Sequence, residues 1–249
     1  DTLGLMLDGT GYGSDGRLWG FELLAGDYAS FRRLSHAPYI SLPGGESALM
    51  HPLRLTVSFT ATLLGNDGLE RLRAVLDKED EQREFDRTHQ LLEADLDWPQ
   101  ASSCGRLFDA VSALLGICRE VTYEGQAAIE LSELAATWHD SDESFSLQRH
   151  QSSHSDDEHF NLAPLFDAVL SSVEDRLDPA RIACCFQNSL ADLVVDHTAR
   201  VAKSEAIDQA VLSGGSFQNP VLFQRVSDRL AQRGLRVYTH DEVPPSDGG

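Results

Sequence analysis

Lysine is nearly absent from this chain. Only Lys78 and Lys203 occur among 249 residues, and arginine supplies every other basic side chain. Twenty basic residues face 40 acidic ones, for a formal net charge of -20. Neutralising the phosphates of a nucleic acid takes Lys and Arg in number, so a nucleic-acid partner is disfavoured, and an anionic membrane surface for the same reason. A Lys-poor acidic surface fits a salt-rich cell interior. Cysteine is scarce too. Cys104, Cys118, Cys184 and Cys185 form no C-x-x-C pair, which excludes a disulfide framework and a zinc ribbon and points to a reducing cytoplasm. No apolar run reaches the ~18–20 residues that span a bilayer. No signal-peptide pattern and no internal repeat is visible.

What remains is an ordinary globular composition: 41% hydrophobic, 8% aromatic and 24% charged residues. That is enough apolar material for a core in one large domain or two lobes. The chain starts at Asp1 without Met and stops at Gly248-Gly249, which predicts a piece of a longer polypeptide.

Thr2 to Leu7 reads as a buried strand ending at Asp8. The glycine-dense stretch from Gly9 to Gly16 reads as a turn, and Arg17 to Leu24 as a second strand completing a hairpin. Residues 36–52 read as a structured loop, and Leu53 to about Leu96 as helical. Leu107, Val111, Leu114, Leu115 and Cys118 recur at helical spacing. Gln126 to Trp138, Leu162 to Leu177 and Ala180 to Ala202 are further helices, the last with Asp178 as N-cap and Pro179 in the first turn. Residues 139–159 read as a polar loop. Ala206 to Leu212 is a strand, Pro220 to Arg233 a helix and Leu235 to Thr239 a last strand. This order predicts an α/β chain with a large helical insertion.

The strand–Ser213-Gly214-Gly215-Ser216–helix unit is a candidate anion or nucleotide cradle, because glycines admit a ligand to the backbone and a helix start offers free N–H donors. A plain strand-to-helix turn is the alternative. Asp8, at a strand end beside glycines, is a candidate metal or phosphate-metal ligand, or a turn cap. Asp247 is a similar residue near the other end. Asp109, near a helix start, could accept ribose hydroxyls or serve the helix dipole. His150 and His154 have the i,i+4 spacing of ligands, but with His159 they fall in a tract without an apolar face and read as a solvated loop. Cys104 and Cys184 read as small buried hydrophobes.

Five ordered blocks then carry a resemblance. They are Asp8-Gly9-Thr10-Gly11-Tyr12-Gly13 with Leu18-Trp19-Gly20; Ser103-Cys104-Gly105-Arg106-Leu107-Phe108-Asp109-Ala110-Val111; Tyr123-Glu124-Gly125-Gln126-Ala127-Ala128; Leu212-Ser213-Gly214-Gly215-Ser216-Phe217-Gln218-Asn219; and Val243-Pro244-Pro245-Ser246-Asp247-Gly248-Gly249. Their order and spacing resemble the C-terminal carbamoyltransferase domain of the HypF family, which serves [NiFe]-hydrogenase maturation.

The resemblance implies an actin-like ATPase fold of two ribonuclease H-like lobes, with the N-terminal lobe incomplete. Residues 1–52 would be a remnant of the first lobe, and 53–249 the helical region and second lobe. It implies passage of a carbamoyl group from carbamoyl-adenylate, made from carbamoyl phosphate and ATP, to the C-terminal Cys thiol of a HypE-type acceptor. By residue, it implies Asp8 and Asp247 as ligands of a divalent metal (Mg, Zn or Fe). Asp109, Gly125 and Glu130 would face the ribose, and Gly214, Gly215 and Asn219 the adenosine or phosphate side.

In that family two metal-binding His stand upstream of the first block, where this chain has none, so the chain alone is expected to bind nucleotide weakly without turnover. Cys104 and Gln187 depart from the residues the resemblance leads one to expect. The alternatives are a TsaD-like tRNA threonylcarbamoyl transferase, disfavoured by the acidic charge, and a non-catalytic actin-fold nucleotide-binding module.

Overall fold

The computed structural model describes residues 1–94, 96–147 and 159–240. Seven strands form one mixed sheet: β1 (Thr2–Tyr12), β2 (Leu18–Gly26), β3 (Phe31–His36), β4 (Ile40–Ser41), β5 (Gln100–Ser103), β6 (Gln209–Ser213) and β7 (Arg236–Tyr238). The order is β4-β5-β2-β1-β6-β7, and β3 pairs with β2. β1, β2 and β3 are an antiparallel meander, whereas β6 runs parallel to β1 and β7 parallel to β6. β5 runs parallel to β2 along Leu18–Gly20, and β3 takes the rest of the same β2 edge from Glu22 to Gly26.

Alternation builds the core. Leu3, Leu5 and Leu7 of β1 are fully buried, as are Phe21 and Leu23 of β2. Around the sheet lie α1 (Glu46–Met50), α2 (Leu53–Val75), α3 (Glu79–Glu93), α4 (Cys104–Leu114), α5 (Gln126–Ala135), α6 (Ala163–Glu174), α7 (Pro179–Glu205) and α8 (Pro220–Gln232). α7 starts as its sequence predicts: the Asp178 side chain accepts from Ala180 N at 2.8 Å, with Pro179 in the first turn. α2 is broken at Gly65 (φ 64°, ψ -155°), a conformation open essentially to glycine alone.

Several sequence expectations need correcting. The strand β1 does not stop at Asp8 but resumes pairing at Gly11 and Tyr12. It contains a bulge, since Leu7 faces Phe21 while Gly11 faces Trp19. Four steps on β1 thus match two on β2, which lifts Asp8, Gly9 and Thr10 out of the ladder. The turn itself is confined to Gly13–Arg17, closed by Gly13 N to Arg17 O at 2.8 Å. The stretch 36–52 read as a loop holds β4 and α1, and the punctuation around Ser102 hides β5. β1 hydrogen-bonds directly to β6 across some 200 residues of chain. Asp247, His150 and His154 lie outside the described residues.

Candidate functional site

The bulge in β1, the start of α4 and the end of β6 converge. Asp8 Oδ1 accepts from its neighbour Gly9 N at 2.7 Å and from Gly215 N at 3.2 Å. Ser103, the N-cap of α4, accepts from Arg106 N at 3.1 Å and donates to the carbonyls of Asp8 (3.2 Å) and Gly9. Three glycines make this approach possible. A Cβ on Gly214 (φ +105°) would stand 2.3 Å from Leu7 O, one on Gly105 2.8 Å from Gly9 Cα, and one on Gly20 2.7 Å from Asp8 O. Cys104 is buried against this junction. Burial pushes its thiol up to about 12, so it is no nucleophile and serves as a small hydrophobe.

The Gly214-Gly215 loop lies against Asp8, and part of its N–H donors are engaged there. Gly9 N and Gly215 N both bond Asp8, Phe217 N bonds Gly214 O at 3.1 Å, and Asn219 N bonds Ser216 O at 3.2 Å. These four N–H groups are spent within the chain. Asp8 Oδ2 accepts from no described residue, so one carboxylate oxygen of Asp8 remains open to a donor or cation. That is one potential ligand. Among the described residues no group of three or more His, Cys, Asp or Glu side chains converges to hold a metal ion. The described residues therefore do not by themselves fit a divalent metal.

Asp109 lies on α4 one turn inside the helix. It is buried, and burial raises its carboxyl above the usual range while the Arg106 guanidinium pulls it down. Arg106 Nε stands 2.8 Å from Asp109 Oδ2 in an ion pair, though out of line for a hydrogen bond. Glu130, on the facing helix α5, accepts from Gln126 Nε2 at 2.8 Å. The thiol of Cys118 is raised first by burial and then by the charges of Glu130 and Asp109. Gly125 starts α5 in the left-handed conformation (φ 76°), which sets the angle of that helix.

Asn219 is the most fully engaged of the predicted residues. Its Oδ1 caps α8 by accepting from Val221 N (3.0 Å) and Leu222 N (3.2 Å). Its Nδ2 donates to Gln187 Oε1 of α7 (2.7 Å) and to Ser132 Oγ of α5 (3.0 Å). Every hydrogen-bonding position of the amide is used. Asn219 thus joins α5, α7 and α8. The structure groups Asp8, Gly214 and Gly215 directly, links Asp109 to them through Arg106, and ties Asn219 to α5 beside Glu130. A groove of about 620 Å³ beside Lys203, Asp208 and Arg233 shares none of these residues.

A family model described as a carbamoyltransferase, Kae1-like domain, second subdomain, matches residues 4–249. The chain belongs to this carbamoyltransferase family. The chain is 31% identical to a carbamoyltransferase HypF from Synechocystis over 99% of its own length and 32% of that protein's. It is 33% identical to one from Rhodobacter capsulatus, over 98% and 30%. A solved full-length HypF in a phosphate- and nucleotide-bound form superposes with a TM-score of 0.84 at 32% identity, covering 99% of this chain and 37% of that one. The HypF of T. kodakarensis gives 0.83 at 28%. A tRNA N6-adenosine threonylcarbamoyltransferase of Clostridium botulinum is 26% identical over 37% of the chain. The fold is therefore the α/β arrangement of the actin-like, ribonuclease H-like class. The chain spans about a third of the length of the first HypF relatives it matches.

Sequence reading found the glycine loop, Asp8 and Asp109, but missed the roles of Ser103, Gly105 and Arg106. For Ser103 the signal was present: a Ser immediately before an apolar-periodic run is an N-cap pattern.

Proposed function

We propose that this Kae1-like chain holds a nucleotide-linked carbamoyl group for transfer to a protein thiol in hydrogenase maturation. The observation that carries the reading is the junction of the Gly214-Gly215 loop with Asp8, placed beside the buried Asp109. In this reading the donor is carbamoyl-adenylate, derived from carbamoyl phosphate and ATP, and the acceptor is the C-terminal cysteine of a HypE-type protein. The acceptor thiolate attacks the carbamoyl carbon. A carbon–sulfur bond forms, the mixed-anhydride C–O bond breaks, AMP leaves with the electron pair, and the thiol proton passes to solvent. The attacking sulfur comes with the acceptor, in accord with the buried and protonated Cys104. Asp109 and Glu130 accept the ribose hydroxyls. Gly214 and Gly215 admit the nucleotide close to the backbone, and Asn219 fixes the start of α8 at its side.

The test is carbamoyl transfer by the full-length gene product with ATP, carbamoyl phosphate and a HypE-type acceptor. Mass spectrometry should show a carbamoyl adduct on the acceptor's last cysteine, reduced at least ~100-fold by Asp109→Ala, as expected when a positioning group is lost. An adduct on tRNA instead would support the tRNA-modifying alternative. Nucleotide binding with no acceptor modified would leave only the docking module.

A further inference from the structure

We infer that Arg106 is the phosphate-binding residue of this cleft, a role that rests on the nucleotide reading above. Four N–H groups of the junction, those of Gly9, Gly215, Phe217 and Asn219, are already bonded within the chain and are not offered to a phosphate. Arg106 is placed to replace them. Its own N–H is fixed by Ser103, and the preceding Gly105 packs on Gly9, so the side chain is anchored beside the β1 bulge. Its Nη2 lies 3.8 Å from where a Cβ on Gly9 would stand.

The side chain is 13% exposed, and its Nε is buried toward Asp109. The two terminal nitrogens hydrogen-bond to no described residue. Only Nε is buried without a hydrogen bond, so the terminal nitrogens stay open to an acceptor that arrives with a ligand. The planar fork of two terminal nitrogens matches two oxygens of a phosphate. The location adds the reason for its charge. In a chain of net charge -20, a phosphate entering beside Asp8 and Asp109 meets two carboxylates, and a cation held beside Gly9 and paired with Asp109 offsets that repulsion. Asp109 then has two faces: it holds Arg106 in place and accepts from the ribose.

Hydrogen exchange on the full-length gene product, titrated with AMP and separately with adenosine, tests this. Protection of residues 100–114 and 209–219 reports binding at this cleft and gives a Kd for each ligand. The wild type is expected to bind AMP more tightly than adenosine. Arg106→Gln should weaken AMP ~10–100-fold, the range for a charged hydrogen bond, and leave adenosine nearly unchanged. Arg106→Lys should fall between, keeping charge without the fork. Retained adenosine protection shows that the variant is folded. If Arg106→Gln weakens both ligands equally, Arg106 acts only through Asp109 and the assignment is overturned. If inorganic phosphate alone gives the same protection at the same concentration as AMP, the site is one for free phosphate and the nucleotide assignment fails. If the wild type shows no protection with either ligand, the nucleotide reading itself falls and the Arg106 role with it.

Discussion

Asn219 shows how one side chain can carry both a fold and a site. Its carbonyl oxygen caps α8 and its amide nitrogen reaches α5 and α7. These two functions separate by substitution. Asn219→Ala removes the cap, worth about 1 kcal/mol, and strands Gln187, which is buried and whose Nε2 already lacks a partner. Leaving a buried amide unpaired adds roughly 1 kcal/mol or more. Asn219→Asp keeps the capping oxygen and gains from the helix dipole. A half-turn of the Gln187 amide would bring its unpaired Nε2 toward the new carboxylate. Urea denaturation should therefore show a loss of about 2 kcal/mol for Asn219→Ala and under about 0.5 kcal/mol for Asn219→Asp, by these same cap and hydrogen-bond magnitudes. Equal losses would mean that the amide donors, not the cap, hold the three helices together.

At the scale of elements, two glycines in unusual conformations make a matched pair. Gly214 ends β6 at φ +105°, and a Cβ there would stand 2.3 Å from the Leu7 carbonyl oxygen. Gly65 breaks α2 at φ +64°, but a Cβ there meets nothing within 4 Å. Gly65→Ala should cost only the backbone strain, about 1–3 kcal/mol. Gly214→Ala adds a collision with backbone that β1 cannot relieve without leaving β6, so its denaturation midpoint should fall further or the protein should not fold. A smaller effect at Gly214 than at Gly65 would show that the β1–β6 junction yields.

The same contrast explains what was legible beforehand. Periodicity gave α4, α5, α6, α7 and α8, because each shows one apolar face over several turns, and α7 has its Asp178-Pro179 start. β3, β4 and β5 were not readable. β3 carries Arg32, Arg33 and His36, β4 has two residues and β5 four, so none shows a hydrophobic alternation long enough to register. The site divided along similar lines. Glycines and a carboxylate beside them announce themselves in sequence. The bulge that lifts Asp8 toward Gly215 depends on pairing between β1 and β2 and could not be seen in either alone. The full engagement of Asn219 likewise depends on residues 32 and 87 positions away.

For the molecule as a whole, the charge decides the response to salt. The described residues contain many ion pairs, among them Arg71 with Asp167 and Glu174, Arg225 with Asp192, and Arg54 with Glu84. Most involve at least one partly exposed partner, and exposed pairs contribute roughly 0–1 kcal/mol each. Against them stands the mutual repulsion of a net charge of -20, spread over one compact fold with only 20 basic residues. Salt screens both, but the pairs are few-ångström contacts and the repulsion is long-ranged. Raising ionic strength shortens the screening length from about 10 Å at 0.1 M to about 3 Å at 1 M, so it removes repulsion before it weakens close contacts. The melting temperature should therefore rise with sodium chloride from 0.05 M toward 1 M, by several degrees for each ~1 kcal/mol of relieved repulsion. The rise should flatten once screening is complete, and sodium perchlorate and sodium chloride should agree at low concentration, where screening alone acts. A melting temperature that falls over the same range would mean that the arginine pairs outweigh the surplus of acid, and that the Lys-poor surface is balanced locally instead of repelling itself.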